Sequence, residues 1–314
     1  MKMAFLSIVL CVILFAPMDT VIGHEPVKKA FERLILNGSL SHAYLFTGPE
    51  SVGKTTLMRM LSARVLGTSE EKIAVHPDCS WVTCPVDEKT GVRKTILPVE
   101  SIRDLRESLA MSAFSGGWRV AVIEDASAMN AAAANALLKM LEEPPARTLV
   151  FLRAARPDDL PRTIVSRAQV VRLKPVASHA IISALVEKGA GMKEAQELAR
   201  IACGRPGIAL RFLLDRQAYA DWRVQTETFL RHLHLGVADR LALAKHLLSK
   251  DELTHYDRGL AVFQAWEFVL RDGLRAPESS RRSVGALERL AQSREAFRRH
   301  TPLQLAFEHV LLSF

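Results

Sequence analysis

The segment GPESVGKT, from Gly48 to Thr55, has the residue types and spacing of a phosphate-binding loop. Its two glycines allow the close backbone turns that such a loop needs, and the N-terminus of a following helix attracts anions. Lys54 can reach the outer phosphates of a nucleotide, and the Thr55 hydroxyl can ligate magnesium. The sequence therefore predicts a nucleotide site. The residues expected to bind the nucleotide are Gly48, Ser51, Gly53, Lys54 and Thr55 of this segment and Thr56, which follows it.

A second candidate feature follows the apolar run VAVI, where Glu124 and Asp125 are adjacent. In hydrolytic phosphate-binding proteins one acid on a neighbouring strand holds the metal, and another group orients the attacking water. The commoner order is Asp then Glu. Adjacent side chains on a strand point to opposite faces, so the two acids do not simply exchange roles.

We expect Glu124 to take the metal position, where its side chain is one methylene longer than the usual Asp. We expect Asp125 to take the water-orienting position, where its side chain is one methylene shorter than the usual Glu. Thr55 and Glu124 are then the predicted magnesium ligands. An angstrom-scale misplacement of catalytic groups can lower the rate about a hundredfold, so the sequence predicts a weakened catalytic pair. The alternative is that the two acids only cap a strand.

Strand-like and helix-like segments alternate up to Pro175 and must position these residues. This alternation predicts an α/β fold with a parallel sheet and helices on both faces. No strand pattern remains beyond Pro175, and three short helical patterns lead into a wholly helical C-terminal part. The predicted parts are an apolar extension outside the fold, a nucleotide-binding domain, a three-helix segment and an all-α domain, over residues 1–18, 19–175, 176–214 and 215–314.

The composition adds weaker indications. A net charge of +8 favours acidic partners, nucleic acid among them. Cys79 and Cys84 form a C-x4-C pair without a second pair, so we expect free thiols and no zinc. The apolar run Ala4–Ala16 is compatible with a secretion signal, an anchor or an extension. Six arginines between Arg281 and Arg299 are expected to form a solvated basic helix face, with DNA contact as the alternative.

Several segments together resemble the bacterial clamp-loader family of AAA+ proteins. The stretch from Asp19 to Thr56 looks like the opening of the family, NAAAANALLKMLEEPP is its most specific signature, and TIVSR looks like its serine-arginine motif. Within the family, HPD at residues 76–78 and DEKTG at residues 87–91 are similar to the delta-prime branch. The gamma and tau motor branch shares the opening but usually carries four zinc-ligating cysteines after the helix of the loop.

The resemblance implies an AAA+ domain, a helical lid and a collar that assembles a hetero-pentamer with delta and gamma/tau subunits. Such an assembly, which acts in the cytoplasm within the DNA polymerase III holoenzyme, places a sliding clamp on primer-template DNA. The implied nucleotide is ATP, and Val21 and Ile22 would lie near its adenine. Arg167 would serve a neighbouring subunit's ATP as an arginine finger. On this interpretation, the apolar N-terminus is an extension, not a secretion signal or a membrane anchor.

This sequence departs from the family pattern at positions that matter for hydrolysis. Besides the reversed acids, the residue that ends the serine-arginine motif is Ala168 in place of the family's cysteine. Ala154 occupies the position where a phosphate-sensing polar side chain is expected. Gly207 or Ile208 lies near the position of the ATP-sensing arginine. We therefore expect ATP binding with weak or no hydrolysis in cis. The alternatives are a gamma/tau-type motor ATPase, an unrelated P-loop kinase or transferase, and a secreted or membrane protein.

Overall fold

A computed structural model describes residues 21–86, 94–111, 113–114, 117–248, 255–274, 280–298 and 301–313. The described residues form two compact units, the first comprising 21–86 and 94–210 and the second 211–313. The domain boundaries predicted from the sequence stay predictions, and the N-terminal extension and the DEKTG segment lie outside the described residues. Within the described ranges, none of the helices has the length and hydropathy needed to span a membrane.

The first unit contains a five-stranded parallel sheet, as the alternating sequence pattern predicted. Its strands are β1 (Ala43–Thr47), β2 (Cys79–Val82), β3 (Arg119–Ile123), β4 (Thr148–Arg153) and β5 (Gln169–Arg172). The strand order is β2-β3-β4-β1-β5, so β4 lies between the strands that precede the phosphate loop and the acid pair.

Eight α-helices of the described chain precede, connect or follow these strands. They are α1 (Glu25–Leu36), α2 (Lys54–Leu66), α3 (Val99–Ala110), α4 (Ala131–Glu142), α5 (Arg162–Val165), α6 (Ser178–Glu187), α7 (Met192–Ala202) and α8 (Pro206–Leu214). The Asn130 side chain caps α4 by accepting a hydrogen bond from the Ala133 N–H at 2.8 Å. The consecutive prolines Pro144 and Pro145 follow the end of α4 and prevent the helix from continuing.

The sheet separates two apolar cores, because successive strand residues point to opposite faces. Leu45 packs on one side with α3 and α4, whereas Tyr44 and Phe46 pack on the other side with α1 and α2. Phe46 stacks on Phe31 of α1 and meets Phe151 of β4 edge to face. This double coverage confirms the predicted α/β class and fixes the strands whose ends carry the site.

The second unit is helical throughout its described residues. Its helices are α9 (Arg216–Leu233), α10 (Val237–Leu248), α11 (His255–Gly273), α12 (Ser280–Arg298) and α13 (Leu303–Leu311). Trp266 of α11 stacks on Phe229 at 4.5 Å and packs against Phe307 at 5.0 Å between ring centroids. Trp266 therefore lies in the core of this unit.

The basic segment of α12 is not uniformly solvated. Arg294 is partly buried and lies 3.2 Å from the buried carboxylate of Glu267, which also pairs with Arg271 at 2.8 Å. Arg289 is exposed. The prediction of a solvated basic face is thus wrong for Arg294, because a buried acid on the neighbouring helix draws that guanidinium inward. The side chains of Arg281, Arg282, Arg298 and Arg299 lie outside the description.

Candidate nucleotide-binding site

The phosphate loop follows β1 and runs into the N-terminus of α2. The Gly48 N–H donates to the Ala155 carbonyl at 3.0 Å, which joins the loop to the end of β4. The buried Lys54 donates through Nζ to the carbonyls of Gly48 and Pro49 at 2.6 and 2.7 Å. A lysine charge is therefore enclosed by the loop at the helix N-terminus, where an anion is favoured.

The other predicted nucleotide-binding residues lie in this loop or in the first turn of α2. Ser51 has a positive φ of 59°, and Gly53 has a φ of 109° directly before α2. Ser51 and Thr56 are exposed, and Thr55 is half-buried. The loop thus presents an accessible rim beside the enclosed charge of Lys54, as a phosphate-binding loop requires.

Gly48 is held in a conformation that no other residue fits, and we predict a large loss of stability on its substitution. Its φ is 136°, and a Cβ atom there would overlap the Leu173 carbonyl oxygen. Gly48→Ala should lower the free energy of unfolding by about 3 kcal/mol or more. Chemical denaturation checks this. The control is Gly38→Ala, because Gly38 has a φ of 62° but a Cβ atom there would meet no atom within 4 Å. Gly38→Ala should lower the free energy of unfolding by about 1 kcal/mol. Equal losses of stability in the two variants would contradict the steric explanation.

The residues before α1 support the loop from one side. Val21 and Ile22 are buried, and Val21 packs in the core that contains Val52 of the loop. The Val21 carbonyl accepts a hydrogen bond from Lys28 Nζ at 2.9 Å. His24 Nε2 donates to the Val52 carbonyl, also at 2.9 Å. The contacts of His24 and Lys28 were not predicted, and the adenine contact of Val21 and Ile22 stays a prediction.

The acid pair is tied to the segment around β2. The Trp81 indole N–H donates to Glu124 Oε1 at 2.9 Å, and the Cys84 backbone N–H donates to Asp125 Oδ2 at 2.9 Å. Arg59 of α2 lies over the Trp81 ring, 5.5 Å from its centroid. Each carboxylate therefore has one oxygen engaged by a protein donor from the β2 side, which a freely solvated strand cap would not have.

Arg153, at the end of β4, is the functional candidate that sequence analysis missed. In the sheet register Phe46 of β1 is the partner of Arg153, and Ile123 of β3 is the partner of Leu152. Because β4 lies between those two strands, its last residue lies between the phosphate loop and Glu124. The signal available in the sequence was an arginine at the end of the apolar run LVFL.

The Arg153 guanidinium joins the loop to both acids. Its Nε donates to the Glu124 carbonyl at 2.7 Å, and one terminal nitrogen donates to Thr55 Oγ1 at 3.2 Å. The other terminal nitrogen lies 3.2 Å from Asp125 Oδ1 and 3.6 Å from Glu124 Oε2. Thr55 and Glu124, the predicted magnesium ligands, thus share this one cationic partner.

The two predicted sensor positions carry no polar side chain towards the loop. Ala154 is buried, and its N–H donates to the Phe46 carbonyl at 3.1 Å as part of the sheet. The Gly207 N–H at the start of α8 donates to the Ser51 carbonyl at 2.9 Å. Arg205 is buried and donates through Nε to the Ala202 carbonyl at 3.2 Å. Helix α8 therefore contacts the phosphate loop through the backbone N–H of Gly207.

Arg167 follows α5, outside the cluster around the loop. It pairs with Glu142 at the end of α4 at 2.7 Å and donates to the Thr163 carbonyl at 3.0 Å. The side chains of Arg167 and Glu142 are 36% and 48% exposed. Both charges are accessible, so the pair contributes little stability, about 0–1 kcal/mol. Ala168 packs against the core behind it.

Cys79 and Cys203 are free thiols in the described part of the chain. Burial raises the pKa of the Cys79 thiol to about 11, so it is protonated at neutral pH. No group of three or more His, Cys, Asp or Glu side chains among the described residues could hold a metal ion. Hydrolytic metal chemistry would therefore depend on the two acids and Thr55.

Comparisons with known proteins agree with the family resemblance. The family described as DNA polymerase III, delta subunit, matches residues 23–177. DNA polymerase III subunit tau of Bacillus subtilis (strain 168) is 29% identical over 52% of this chain and 30% of its own length. DNA polymerase III subunit delta' of Escherichia coli (strain K12) is 32% identical over 59% of each chain.

This chain is also similar to a solved structure, that of a DNA polymerase III gamma subunit-related protein from Thermotoga maritima. The two chains are 16% identical, the similarity covers 90% of this chain and 97% of that chain, and the TM-score is 0.45. The chain spans less than two thirds of the length of the tau and delta' relatives.

Proposed function

We propose that this chain, which belongs to the DNA polymerase III clamp-loader family, is a delta-prime-type subunit that binds ATP and hydrolyses it weakly or not at all. ATP would be held at its phosphates by the loop around Lys54 and at its adenine by Val21 and Ile22. The loop's complete pattern, its enclosed lysine charge and its position before a helix N-terminus support nucleotide binding.

The engagement of both acids by protein donors is the observation that carries the weak-hydrolysis part of the proposal. Hydrolysis needs one acid at the metal and another group orienting water. Here Glu124 accepts from Trp81, Asp125 accepts from Cys84, and Arg153 contacts both carboxylates. An acid held in this way cannot turn towards a water without breaking a partly buried hydrogen bond, so its availability as a base is reduced.

The proposed contribution to catalysis is made in trans through Arg167. The guanidinium pairs with Glu142 at 2.7 Å, but both side chains are accessible, so it can exchange that carboxylate for the phosphates of a neighbouring subunit's ATP. The partners proposed are delta and gamma/tau subunits in a hetero-pentamer that loads the sliding clamp on primer-template DNA. Relatives named as tau and delta' support this assignment.

Co-purification tests the proposed assembly. The full chain is co-expressed with delta and gamma/tau subunits from the same genome, and the complex is isolated and its bound nucleotide counted. We expect a stable hetero-pentamer in which Lys54→Ala in this chain removes one bound ATP without loss of assembly. Failure of the chain to enter the complex would contradict the proposed function. Assembly of this chain into the gamma/tau positions would favour the motor alternative.

A further inference from the structure

Within the described residues, the guanidinium of Arg153 contacts both acids. We propose that the Arg153 guanidinium takes the place of the divalent cation, so that the chain binds a nucleoside triphosphate without magnesium. This inference revises the expectation that Thr55 and Glu124 hold the metal, and its nucleotide part rests on the proposed function. The residues present do not fit a magnesium ion together with this arginine.

The contacts of Arg153 are those expected of a cation substitute. A magnesium ion would need oxygen ligands at about 2.0–2.1 Å in octahedral arrangement. Thr55 Oγ1, Asp125 Oδ1 and Glu124 Oε2 instead surround nitrogens of one guanidinium, at 3.2, 3.2 and 3.6 Å. The positive charge of the guanidinium opposes entry of a dication among these oxygens.

The position of Arg153 is fixed by the sheet and its neighbours. Its Nε is anchored at 2.7 Å on the Glu124 carbonyl, and its backbone belongs to the central strand β4. The side chain is 29% exposed, whereas those of Glu124 and Asp125 are 14% and 20% exposed. The arginine is therefore more exposed than the two acids that it contacts, and it links them to Thr55 of the loop.

The charge balance of the cluster follows from the same contacts. Glu124 and Asp125 contribute two negative charges, and Arg153 and Lys54 contribute two positive ones. The triphosphate would thus meet two fixed cations, one at the loop and one beside Thr55. The ligand class is a nucleoside triphosphate free of metal, because the second cation is already supplied by the chain.

A manganese titration without nucleotide tests the cation substitution directly. Free hexaaqua Mn²⁺ is measured by electron paramagnetic resonance against the full-length wild type, Arg153→Ala and Arg153→Gln. We expect both variants to bind one Mn²⁺ at least about tenfold more tightly than the wild type, since a repelling charge is gone and two carboxylates are released. Equal Mn²⁺ affinities in the wild type and both variants would overturn the proposal.

Two controls assign the effect to this cluster. Arg156→Ala removes an exposed arginine three residues further on, which pairs with Asp159, and should leave Mn²⁺ binding at the wild-type level. Arg153→Lys keeps the positive charge without the planar fork and should bind Mn²⁺ more weakly than Arg153→Gln does. Adding Glu124→Gln to Arg153→Ala should abolish the gained Mn²⁺ site, and retention of that site would place the ion elsewhere and overturn the proposal.

Equilibrium dialysis with ATP, in magnesium and in EDTA, tests the consequence for nucleotide binding. The wild-type dissociation constant should change less than about threefold between the two conditions, whereas Arg153→Gln should bind at least about tenfold more tightly with magnesium. A wild type that needs magnesium to bind would overturn the proposal. Absence of ATP binding in both conditions would refute the proposed nucleotide binding instead, and the Mn²⁺ titration would still decide whether Arg153 replaces the cation.

Discussion

Arg167→Ala is expected to lower the clamp-stimulated ATP turnover of the assembled complex by about the share that one ATP site contributes. An arginine finger contributes about 10³–10⁵ to the rate at the site that it serves. The loss in the whole complex is smaller than that, because the remaining sites keep their own catalytic groups. Steady-state turnover of the reconstituted complex, measured with the sliding clamp and primed DNA, gives the value.

The structure separates this effect from a general loss of folding. Arg167 makes an accessible pair with Glu142, so its removal should change the free energy of unfolding of the isolated chain by about 1 kcal/mol or less. Arg162→Ala, which removes an exposed arginine of α5, serves as the matched control and should leave turnover unchanged. Unaltered turnover in Arg167→Ala, with assembly intact, would show that the arginine-finger assignment is wrong.

Lys54→Ala should weaken ATP binding to the isolated chain about a hundredfold or more. Lys54 is the buried cation inside the loop, and hydrogen bonds from a charged group are worth about 1.5–3 kcal/mol each. Losing two such bonds to phosphate oxygens accounts for a change of that size. Isothermal titration of ATP into the wild type and the variant measures it.

An exposed lysine provides the comparison for this variant. Lys29 lies on α1 and is exposed, so Lys29→Ala removes the same charge from the chain without touching the loop. It should bind ATP within about twofold of the wild type, because a charge on the solvated surface is largely screened. Similar losses in both variants would mean that net charge, and not the loop, governs nucleotide binding.

The layered fold could be predicted from local sequence patterns. The buried run AYLFT, the loop glycines and the proline pair after α4 fix the bounds of single elements through hydrophobicity and backbone restriction. Their alternation is enough to predict a parallel sheet, because parallel strands need crossover helices.

The interior of the site could be predicted only in part. The loop residues and the acids were found because their chemistry is contained in short contiguous motifs. Arg153 was missed because its role depends on strand order: only when β4 lies between β1 and β3 does its last side chain reach both Thr55 and Glu124. Trp81 was missed for the same reason, since its bond to Glu124 joins residues 43 positions apart in the chain.

One titration tests the central claim most directly, namely that this subunit holds ATP without turning it over efficiently. ATP is added to the isolated wild-type protein, and bound and hydrolysed nucleotide are counted in the same sample, with Lys54→Ala as the baseline. The account predicts about one ATP bound per chain and a turnover about a hundredfold or more below one per second, since the acids are engaged elsewhere. Turnover near one per second that disappears in Lys54→Ala would contradict it.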